Sequence, residues 1–204
     1  VPIEKELAVI VSRNSNGQTK SFPTVEMEFS EDANLVEQLI CPSNISKNDD
    51  EKTRSIAIEI INKLGMVGNL AVEFFLTKNG NILVNEVAPR PHNSGHHTIE
   101  SNFTSQFEQH LRAVLNLPLG STELISPSVM INILGHPDYE GIAKYTNVNS
   151  CLEQDQVYIH IYGKKITKPY RKMGHVTIMD KTIENAKSKA NFIKNNLNVI
   201  SNEK

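Results

Sequence analysis

The feature of this sequence that most constrains its fold is a turn signal between two runs of strand-forming residues. The runs are residues 70–76 and 82–87, and Asn79-Gly80 stands between them. Asn-Gly is the strongest short-range hairpin signal, because both residues tolerate the positive φ that a tight two-residue turn requires. The sequence therefore predicts an antiparallel hairpin with its turn at Asn79 and Gly80.

Two glutamates face each other across this predicted hairpin. Glu73 lies six residues before Asn79 and Glu86 lies six residues after Gly80, so the two side chains project from one face of the sheet. Like charges in this position destabilise a sheet by about 0.2–1 kcal/mol, and a cation relieves the repulsion. Mg²⁺ usually takes one or two protein carboxylates together with phosphates and water. The pair predicts a magnesium site; the alternative is a solvent-facing hairpin on which two glutamates merely tolerate each other.

A polar loop follows the second predicted strand. Residues 88–99 read APRPHNSGHHTI. The prolines end the strand, and Pro91 favours an extended conformation at Arg90. Ligand contacts concentrate in loops that a rigid scaffold holds, so the guanidinium, imidazole, amide and hydroxyl groups are candidate ligand contacts. The histidines leave zinc as an alternative, although the proline and glycine disfavour a helix that would bring His92 and His96 onto one face.

Composition argues against several classes of function. The net charge of the 204 residues is −2, which gives no reason to expect a nucleic acid or an anionic membrane as partner. No apolar stretch approaches the roughly 20 residues of a membrane span, and no signal sequence is visible. Cys41 and Cys151 are far apart and lack zinc-ligand spacing, which indicates free thiols in a reducing compartment such as the cytoplasm.

The remaining pattern predicts an α+β protein. We expect a hairpin from residues 4–13 and 19–27, helices over 49–64 and 182–197, and short strands over 129–134, 156–161 and 175–179. Asn48 or Asp49 is the expected cap of the first helix, and its apolar residues at positions 56, 60 and 64 line one face. Segment 121–127 is predicted to connect two domains, 1–120 and 121–204.

A further helix is predicted to begin at Ser105. Ser105 and Glu108 have the spacing of a capping box, in which the serine side chain and the third helical residue satisfy backbone N–H groups. Phe107, Leu111 and Val114 or its neighbour Leu115 recur at helical spacing. We expect this apolar face to point into the core.

Two longer stretches carry a resemblance to a known family. NEVAPRPHNSGHHTIE and TSQFEQHLRAVLNLPLG closely resemble the N5-carboxyaminoimidazole ribonucleotide synthetases, which are ATP-grasp ligases of purine biosynthesis. The likeness runs from PIEKELAVIVSR to YGKKITKPYRKMGHVT. It implies the second half of an ATP-grasp domain, an antiparallel sheet with helices, followed by a small, mostly β C-terminal domain with a terminal helix.

The resemblance also implies an activity. We expect ATP- and Mg²⁺-dependent carboxylation of 5-aminoimidazole ribonucleotide with bicarbonate, through carboxyphosphate, in a cytoplasmic homodimer. No glycine-rich phosphate loop occurs, and the chain begins at Val1 without methionine. We therefore expect the C-terminal half of the enzyme, inactive by itself. The alternatives are a non-catalytic nucleotide-binding module, or another ATP-grasp carboxylase or formyltransferase.

The resemblance assigns roles to individual residues, including the residues of the hairpin and loop. Asn85 neighbours Glu86, and in a regular strand its side chain would point to the opposite face. Lys164 and Arg171 flank a short basic turn, which could be a solvated surface or, as the resemblance implies, the site of the ribonucleotide 5′-phosphate. The resemblance implies that the metal is bound by Glu73 and Glu86, and that ATP is bound by Val1, Glu6, Asn85 and Glu86. It implies catalytic roles for Arg90 and His92. It also implies that the ribonucleotide is bound by Asn93, Ser94, His96, Lys164 and Arg171.

Overall fold

The computed structural model describes residues 1–29 and 36–202 of the chain, which divide into two compact units. The first comprises Val1–Glu28 and Leu39–Ser126, and the second comprises the described residues of 29–38 and 127–204. The division predicted between residues 120 and 121 stays a prediction. Within the described ranges, no helix is both long enough and apolar enough to cross a membrane.

The elements confirm the predicted α+β class. Along the first part of the chain they are β1 (Ile3–Arg13), β2 (Thr19–Ser21), β3 (Val25–Phe29), β4 (Val36–Cys41), α1 (Lys47–Lys63), β5 (Gly68–Thr77), β6 (Ile82–Ala88), α2 (Thr98–Ser101) and α3 (Gln106–Val114). The later elements are β7 (Ser128–Leu134), β8 (Gly141–Ile142), β9 (Lys144–Thr146), α4 (Val148–Leu152), β10 (Val157–Ile161), β11 (Ile166–Thr167), β12 (Lys172–Met179), α5 (Ile183–Asn196) and β13 (Asn198–Ile200).

Antiparallel pairing organises each unit. In the first unit the strands lie in the order β3, β1, β5, β6, and β2 also pairs with β1. In the second unit β12 lies between β10 and β7, while β11 pairs with β8 and β13 pairs with β9. Helix α5, the predicted terminal helix, is followed by the short strand β13, and its buried face consists of Ala186, Ala190 and Ile193.

Helix α1 covers one face of the first sheet. The side chains of alternate residues in β1 and β5, among them Val9 and Val72, form a buried apolar cluster with Ala57 and Ile61. Two expectations for α1 are wrong in detail. Ser46, and neither Asn48 nor Asp49, caps the helix by accepting from the Asp49 N–H, and Leu64 is 60% exposed. The buried stripe follows positions 53, 57 and 61, so the isoleucines of the predicted face lie at its edge.

Helix α3 presents its apolar side chains outward, contrary to expectation. Ser105 caps the helix by accepting from the Glu108 N–H, so the predicted start is confirmed. The residues predicted to point inward, however, are exposed: Phe107 40%, Leu111 58%, Val114 47% and Leu115 65%. The buried residues of α3 are Gln106, Gln109 and Ala113. Hydrogen bonds made by the two glutamines decide which face of this helix is buried.

Candidate active site

The predicted pair of glutamates is present in the hairpin of β5 and β6. Glu73 lies directly opposite Glu86, as the sequence predicts. On its other side, Glu73 pairs with Ala8 of β1, and Glu6, two residues before Ala8 in the same strand, pairs with Phe75. Because side chains alternate between the faces of a strand, Glu6, Glu73 and Glu86 project from the same face of the sheet. Partial burial raises the pKa of Glu6 above its ordinary value.

The turn that closes this hairpin is not the predicted one. Thr77 N–H donates to the Asn81 carbonyl over 2.9 Å, so three residues form the turn, and Gly80 adopts a φ of 74°. Moving away from the turn, the pairing is regular as far as Phe74 with Val84. The register then shifts by one residue before the pair of glutamates. Asn85 is therefore an extra residue in β6, and this bulge compensates for the longer turn. The expected pair is correct although the expected turn is wrong.

The bulge changes the interpretation of Asn85. Two residues of β6, Asn85 and Glu86, oppose Glu73 where a regular strand would place one. A bulge bends its strand and re-aims the side chain of the extra residue. The expectation that Asn85 points away from the face of Glu86 assumes a regular strand, and that assumption is wrong.

The glutamate pair has the chemistry of a magnesium site. Carboxylate oxygens are hard donors of the kind Mg²⁺ prefers, and the next cross-strand pair on the same face consists of two small residues, Ala71 and Ala88. Glu86 is exposed, while the Glu73 side chain is 16% exposed. In the part of the chain that the structure describes, no group of three or more His, Cys, Asp or Glu side chains is arranged to hold a metal. Two carboxylates from adjacent strands fit a magnesium ion, because Mg²⁺ usually takes one or two protein carboxylates and completes its shell with phosphates and water.

The polar loop contacts the hairpin through His92. Nε2 of His92 lies 3.7 Å from Oε1 of Glu73, and the His92 side chain is 13% exposed. The other ring nitrogen, Nδ1, lies 2.9 Å from Ser94 Oγ and also accepts from the Ser94 N–H. The His92 side chain thereby caps a short 3₁₀ turn over Asn93–Gly95. The loop thereby places an imidazole beside one of the paired carboxylates.

A buried glutamine, Gln106, which the sequence pattern does not single out, holds the loop in place. Gln106 Oε1 accepts from the His92 N–H over 2.8 Å, and Gln106 Nε2 donates to the His92 carbonyl over 2.7 Å. Gln106 Nε2 also lies 3.0 Å from Nδ1 of His96. Gly95 is required for this approach, because a Cβ there would lie 2.6 Å from Gln106 Oε1. The only sequence signal was a polar residue directly after a helix cap, which is common on protein surfaces.

The remaining loop residues differ in their surroundings. Arg90 is exposed, and its Nη1 donates to the neighbouring Pro91 carbonyl over 3.1 Å. His96 stacks on Phe107, with ring centroids 5.7 Å apart. His97 is buried, and its Nδ1 lies 2.8 Å from Ser101 Oγ. Burial lowers the pKa of His97 to about 3, so at neutral pH this imidazole is an uncharged part of the core. Val1, expected near ATP, precedes β1 and is 83% exposed.

The two basic residues expected to bind phosphate lie in the second unit. They lie near the two ends of the connection between β10 and β12. Nζ of Lys164 donates to the Lys172 carbonyl over 2.7 Å and lies 6.0 Å from the ring centroid of Tyr162. Nη1 of Arg171 donates to the Ile166 carbonyl over 2.9 Å. Both cations are half-buried and held by backbone carbonyl groups near the connection.

Family models define the class of protein that this fold and site represent. Residues 1–107 match the ATP-grasp domain, and residues 128–189 match the phosphoribosylaminoimidazole carboxylase C-terminal domain. The first match covers more than half of the 204 residues. The chain therefore belongs to the ATP-grasp family.

Individual relatives confirm the narrower resemblance expected from the loop sequence. The chain is 45% identical over 179 residues to N5-carboxyaminoimidazole ribonucleotide synthase of Bacillus subtilis, covering 88% of this chain and 45% of that protein. It is 37% identical over 204 residues to phosphoribosylaminoimidazole carboxylase of Ogataea methanolica, covering 98% of this chain and 37% of the relative. The chain thus spans less than half the length of these curated relatives.

Solved structures give the same result for the fold. The chain superposes on N5-carboxyaminoimidazole ribonucleotide synthetase of Thermotoga maritima with a TM-score of 0.92 and 49% identity, covering 98% of this chain and 54% of the other. It also matches N5-carboxyaminoimidazole synthase of Aspergillus clavatus in complex with ADP and 5-aminoimidazole ribonucleotide, with a TM-score of 0.85 and 34% identity. That match covers 96% of this chain and 51% of the other.

Proposed function

We propose that this chain is the C-terminal half of an ATP-grasp ligase that carboxylates 5-aminoimidazole ribonucleotide with bicarbonate. The products are N5-carboxyaminoimidazole ribonucleotide, ADP and phosphate. The observation that carries the proposal is the contact between the loop and the paired glutamates, with His92 Nε2 3.7 Å from Glu73 Oε1. The matching Aspergillus clavatus structure is a complex with both ADP and the aminoimidazole ribonucleotide, which supports the proposal.

The paired glutamates are proposed to hold Mg²⁺ against the phosphates of ATP. A bound Mg²⁺ would neutralise negative charge on the phosphoryl group that is transferred. Glu73 and Glu86 would supply one carboxylate each from adjacent strands. Glu6, on the same face of the sheet, is proposed to accept from the ribose hydroxyls of ATP. Val1 would contact the adenine through its backbone, and Asn85 would contact the nucleotide from the bulge.

The loop is proposed to bring the acyl phosphate to its amine acceptor. A bicarbonate oxygen attacks the γ-phosphorus of ATP and ADP departs; the amine nitrogen then attacks the carboxyl carbon, losing a proton, and phosphate departs. Arg90 stabilises the bicarbonate or carboxyphosphate anion, and His92 contacts the reacting groups. Asn93, Ser94 and His96 orient the ribonucleotide. Holding both reactants in one place matters because carboxyphosphate is labile in water.

The basic residues of the second unit are proposed to bind the 5′-phosphate of the ribonucleotide. Arg171 can donate to two phosphate oxygens at once, and Lys164 acts as a point charge. Both now donate to backbone carbonyl groups, which a phosphate can replace as acceptor. Binding energy from this remote group would hold the amine at the reaction centre and so raise turnover as well as affinity.

Assembly and location are part of the proposal. We infer a homodimer because the family resemblance implies one. We also infer a cytoplasmic location, since both cysteines, Cys41 and Cys151, are free and buried in the structure and free thiols persist in reducing compartments.

The proposal is tested by assaying the full-length protein with ATP, bicarbonate and 5-aminoimidazole ribonucleotide. We expect ADP to form with the carboxylated ribonucleotide, and we expect product formation to need bicarbonate. A protein that binds ATP but forms no ADP under these conditions would be a non-catalytic module. Turnover with formate and glycinamide ribonucleotide in place of bicarbonate and the aminoimidazole would identify a formyltransferase instead.

A further inference from the structure

The orientation of the Gln106 side-chain amide is fixed by backbone groups whose roles are not in doubt. A backbone N–H can only donate and a carbonyl can only accept. The His92 N–H therefore faces Gln106 Oε1 at 2.8 Å, and the His92 carbonyl faces Gln106 Nε2 at 2.7 Å. A reversed amide would place donor against donor and acceptor against acceptor. Gln106 is fully buried, so water does not relieve such a mismatch.

This orientation determines the tautomer of His96. The second hydrogen of Gln106 Nε2 points to Nδ1 of His96, 3.0 Å away. Since that nitrogen receives a donor, it must be the unprotonated nitrogen of a neutral imidazole, and the proton lies on Nε2. The imidazole of His96 is therefore held with an N–H at Nε2.

We propose that Gln106 is a positioning residue that makes His96 a neutral hydrogen-bond donor through Nε2. The proposal rests on the proposed carboxylase function, and it identifies what the loop offers the ligand. An imidazole that carries its proton on Nε2 donates from that atom and does not act there as a base. The matching ligand groups are acceptors, such as carboxylate or phosphate oxygens or the unprotonated nitrogen of an imidazole ring.

The same helix supplies a matched control. Gln109 holds Gly120 as Gln106 holds His92: its Oε1 accepts from the Gly120 N–H over 2.8 Å, and its Nε2 donates to the Gly120 carbonyl over 3.0 Å. Both glutamines are fully buried in α3. Only Gln106 also reaches an imidazole nitrogen. Substitutions at Gln109 therefore reproduce the loss of a buried backbone clamp without touching the histidines.

The tautomer is measured by long-range ¹H–¹⁵N correlation spectra of the chain labelled with ¹⁵N-histidine, at a pH where free imidazole is neutral. The signals of His96 are assigned by their loss in His96→Asn. We expect the Nε2–H pattern for His96 in the parent chain, a shift of the proton to Nδ1 in Gln106→Glu, and no change in Gln109→Glu. A parent chain with the proton on Nδ1, or a Gln106→Glu spectrum equal to the parent, overturns the proposal.

A second variant keeps the proposal testable if Gln106→Glu does not fold. Gln106→Met removes the donor without adding charge, and we expect the His96 signals to move towards the average of two exchanging tautomers. Signals that stay at the parent positions in a folded Gln106→Met chain would contradict the proposal. This measurement needs no substrate, so its outcome is independent of whether the carboxylase function is correct.

Kinetics in the full-length protein test the consequence for the reaction. We expect Gln106→Met to lower kcat for ribonucleotide carboxylation about tenfold, with the KM for ATP unchanged, while Gln109→Met keeps kcat near the parent value. An unchanged kcat in a variant whose tautomer has changed overturns the positioning role. Absence of carboxylation in the parent protein would instead overturn the proposed function and leave the tautomer result standing.

Discussion

The two segments proposed to bind the ribonucleotide are built in different ways. The loop over residues 90–97 is crosslinked by a fully buried side chain, Gln106, which makes three hydrogen-bond contacts with it. The connection over residues 162–171 is mostly exposed, and its cations, Lys164 and Arg171, donate to nearby backbone carbonyls. The first segment is rigid before any ligand arrives, whereas the second can exchange its acceptors for those of a ligand.

This difference matches the tasks proposed for the two segments. A reacting group must be held within a fraction of an ångström, which requires side chains locked by neighbouring hydrogen bonds. A remote phosphate needs only charge and hydrogen-bond donors, which the two cations supply. In the proposed reaction the buried Gln106 of α3 therefore serves the reacting end.

The largest effect is expected at the paired glutamates. Glu86→Gln in the full-length protein should lower turnover at least about tenfold, because losing roughly 1.4 kcal/mol of transition-state stabilisation has this size. Glu73→Gln should do the same, since both carboxylates are proposed to hold the metal. ADP formation is the measurement, and Glu51→Gln, an exposed glutamate of α1 paired with Lys47, is the control. Near-normal ATPase activity in both hairpin variants would refute the metal assignment.

A somewhat smaller effect is expected at the basic connection. Arg171→Ala should raise the KM for the ribonucleotide roughly five- to tenfold, since a hydrogen bond to a charged group contributes about 1.5–3 kcal/mol and part of this is lost to solvent. The KM for ATP should not change. Lys168→Ala is a suitable control, because this cation of the same connection forms an exposed ion pair with Glu140 over 3.0 Å. Equal effects on both substrates would mean that Arg171 is only a surface charge.

A third experiment examines the core beneath the rigid loop through the pH dependence of stability. His97 has a pKa of about 3 in the folded chain, and an unfolded histidine has a pKa of about 6.5. The unfolded state therefore binds the extra proton between these values. The stabilising contribution is complete above about pH 6.5 and is lost as the pH falls towards 3, by at most about 1.4 kcal/mol per pH unit.

Urea unfolding at several pH values between 7 and 4 measures this slope. His97→Asn should flatten it, whereas His136→Asn, which changes a more exposed histidine, should leave it unaltered. An unchanged slope in the His97 variant would show that the imidazole is not kept neutral by burial.

The sequence predicts features that depend on local residue preferences well, and features that depend on polar contacts between distant residues poorly. The strands of the hairpin and the cap at Ser105 follow from local residue preferences and are confirmed. Helix α3 does not bury the face that its apolar periodicity predicts. Gln106 and Gln109 occupy the buried positions instead, because they bond backbone groups distant in sequence. Such pairing depends on the folded loop, which no local pattern encodes.

The hairpin shows a second limit. Asn79-Gly80 predicts a two-residue turn, yet the turn has three residues and a bulge at Asn85 restores the facing glutamates. Two opposite errors in register cancel, so the correct pair was predicted without the correct geometry. Turn length and bulge are selected together by the packing of the whole sheet, and the short local signal reports only that a hairpin forms.

The most direct test of the proposed division of tasks is the ratio of ADP formed to ribonucleotide carboxylated, at saturating substrates, in two variants of the full-length protein. Asn93→Ala alters the rigid loop, so carboxyphosphate should escape to water and the ratio should rise to about two or three. Arg171→Ala alters only the remote phosphate contact, and its ratio should stay near that of the parent. A ratio that stays at the parent value in both variants, or rises equally in both, would contradict the account.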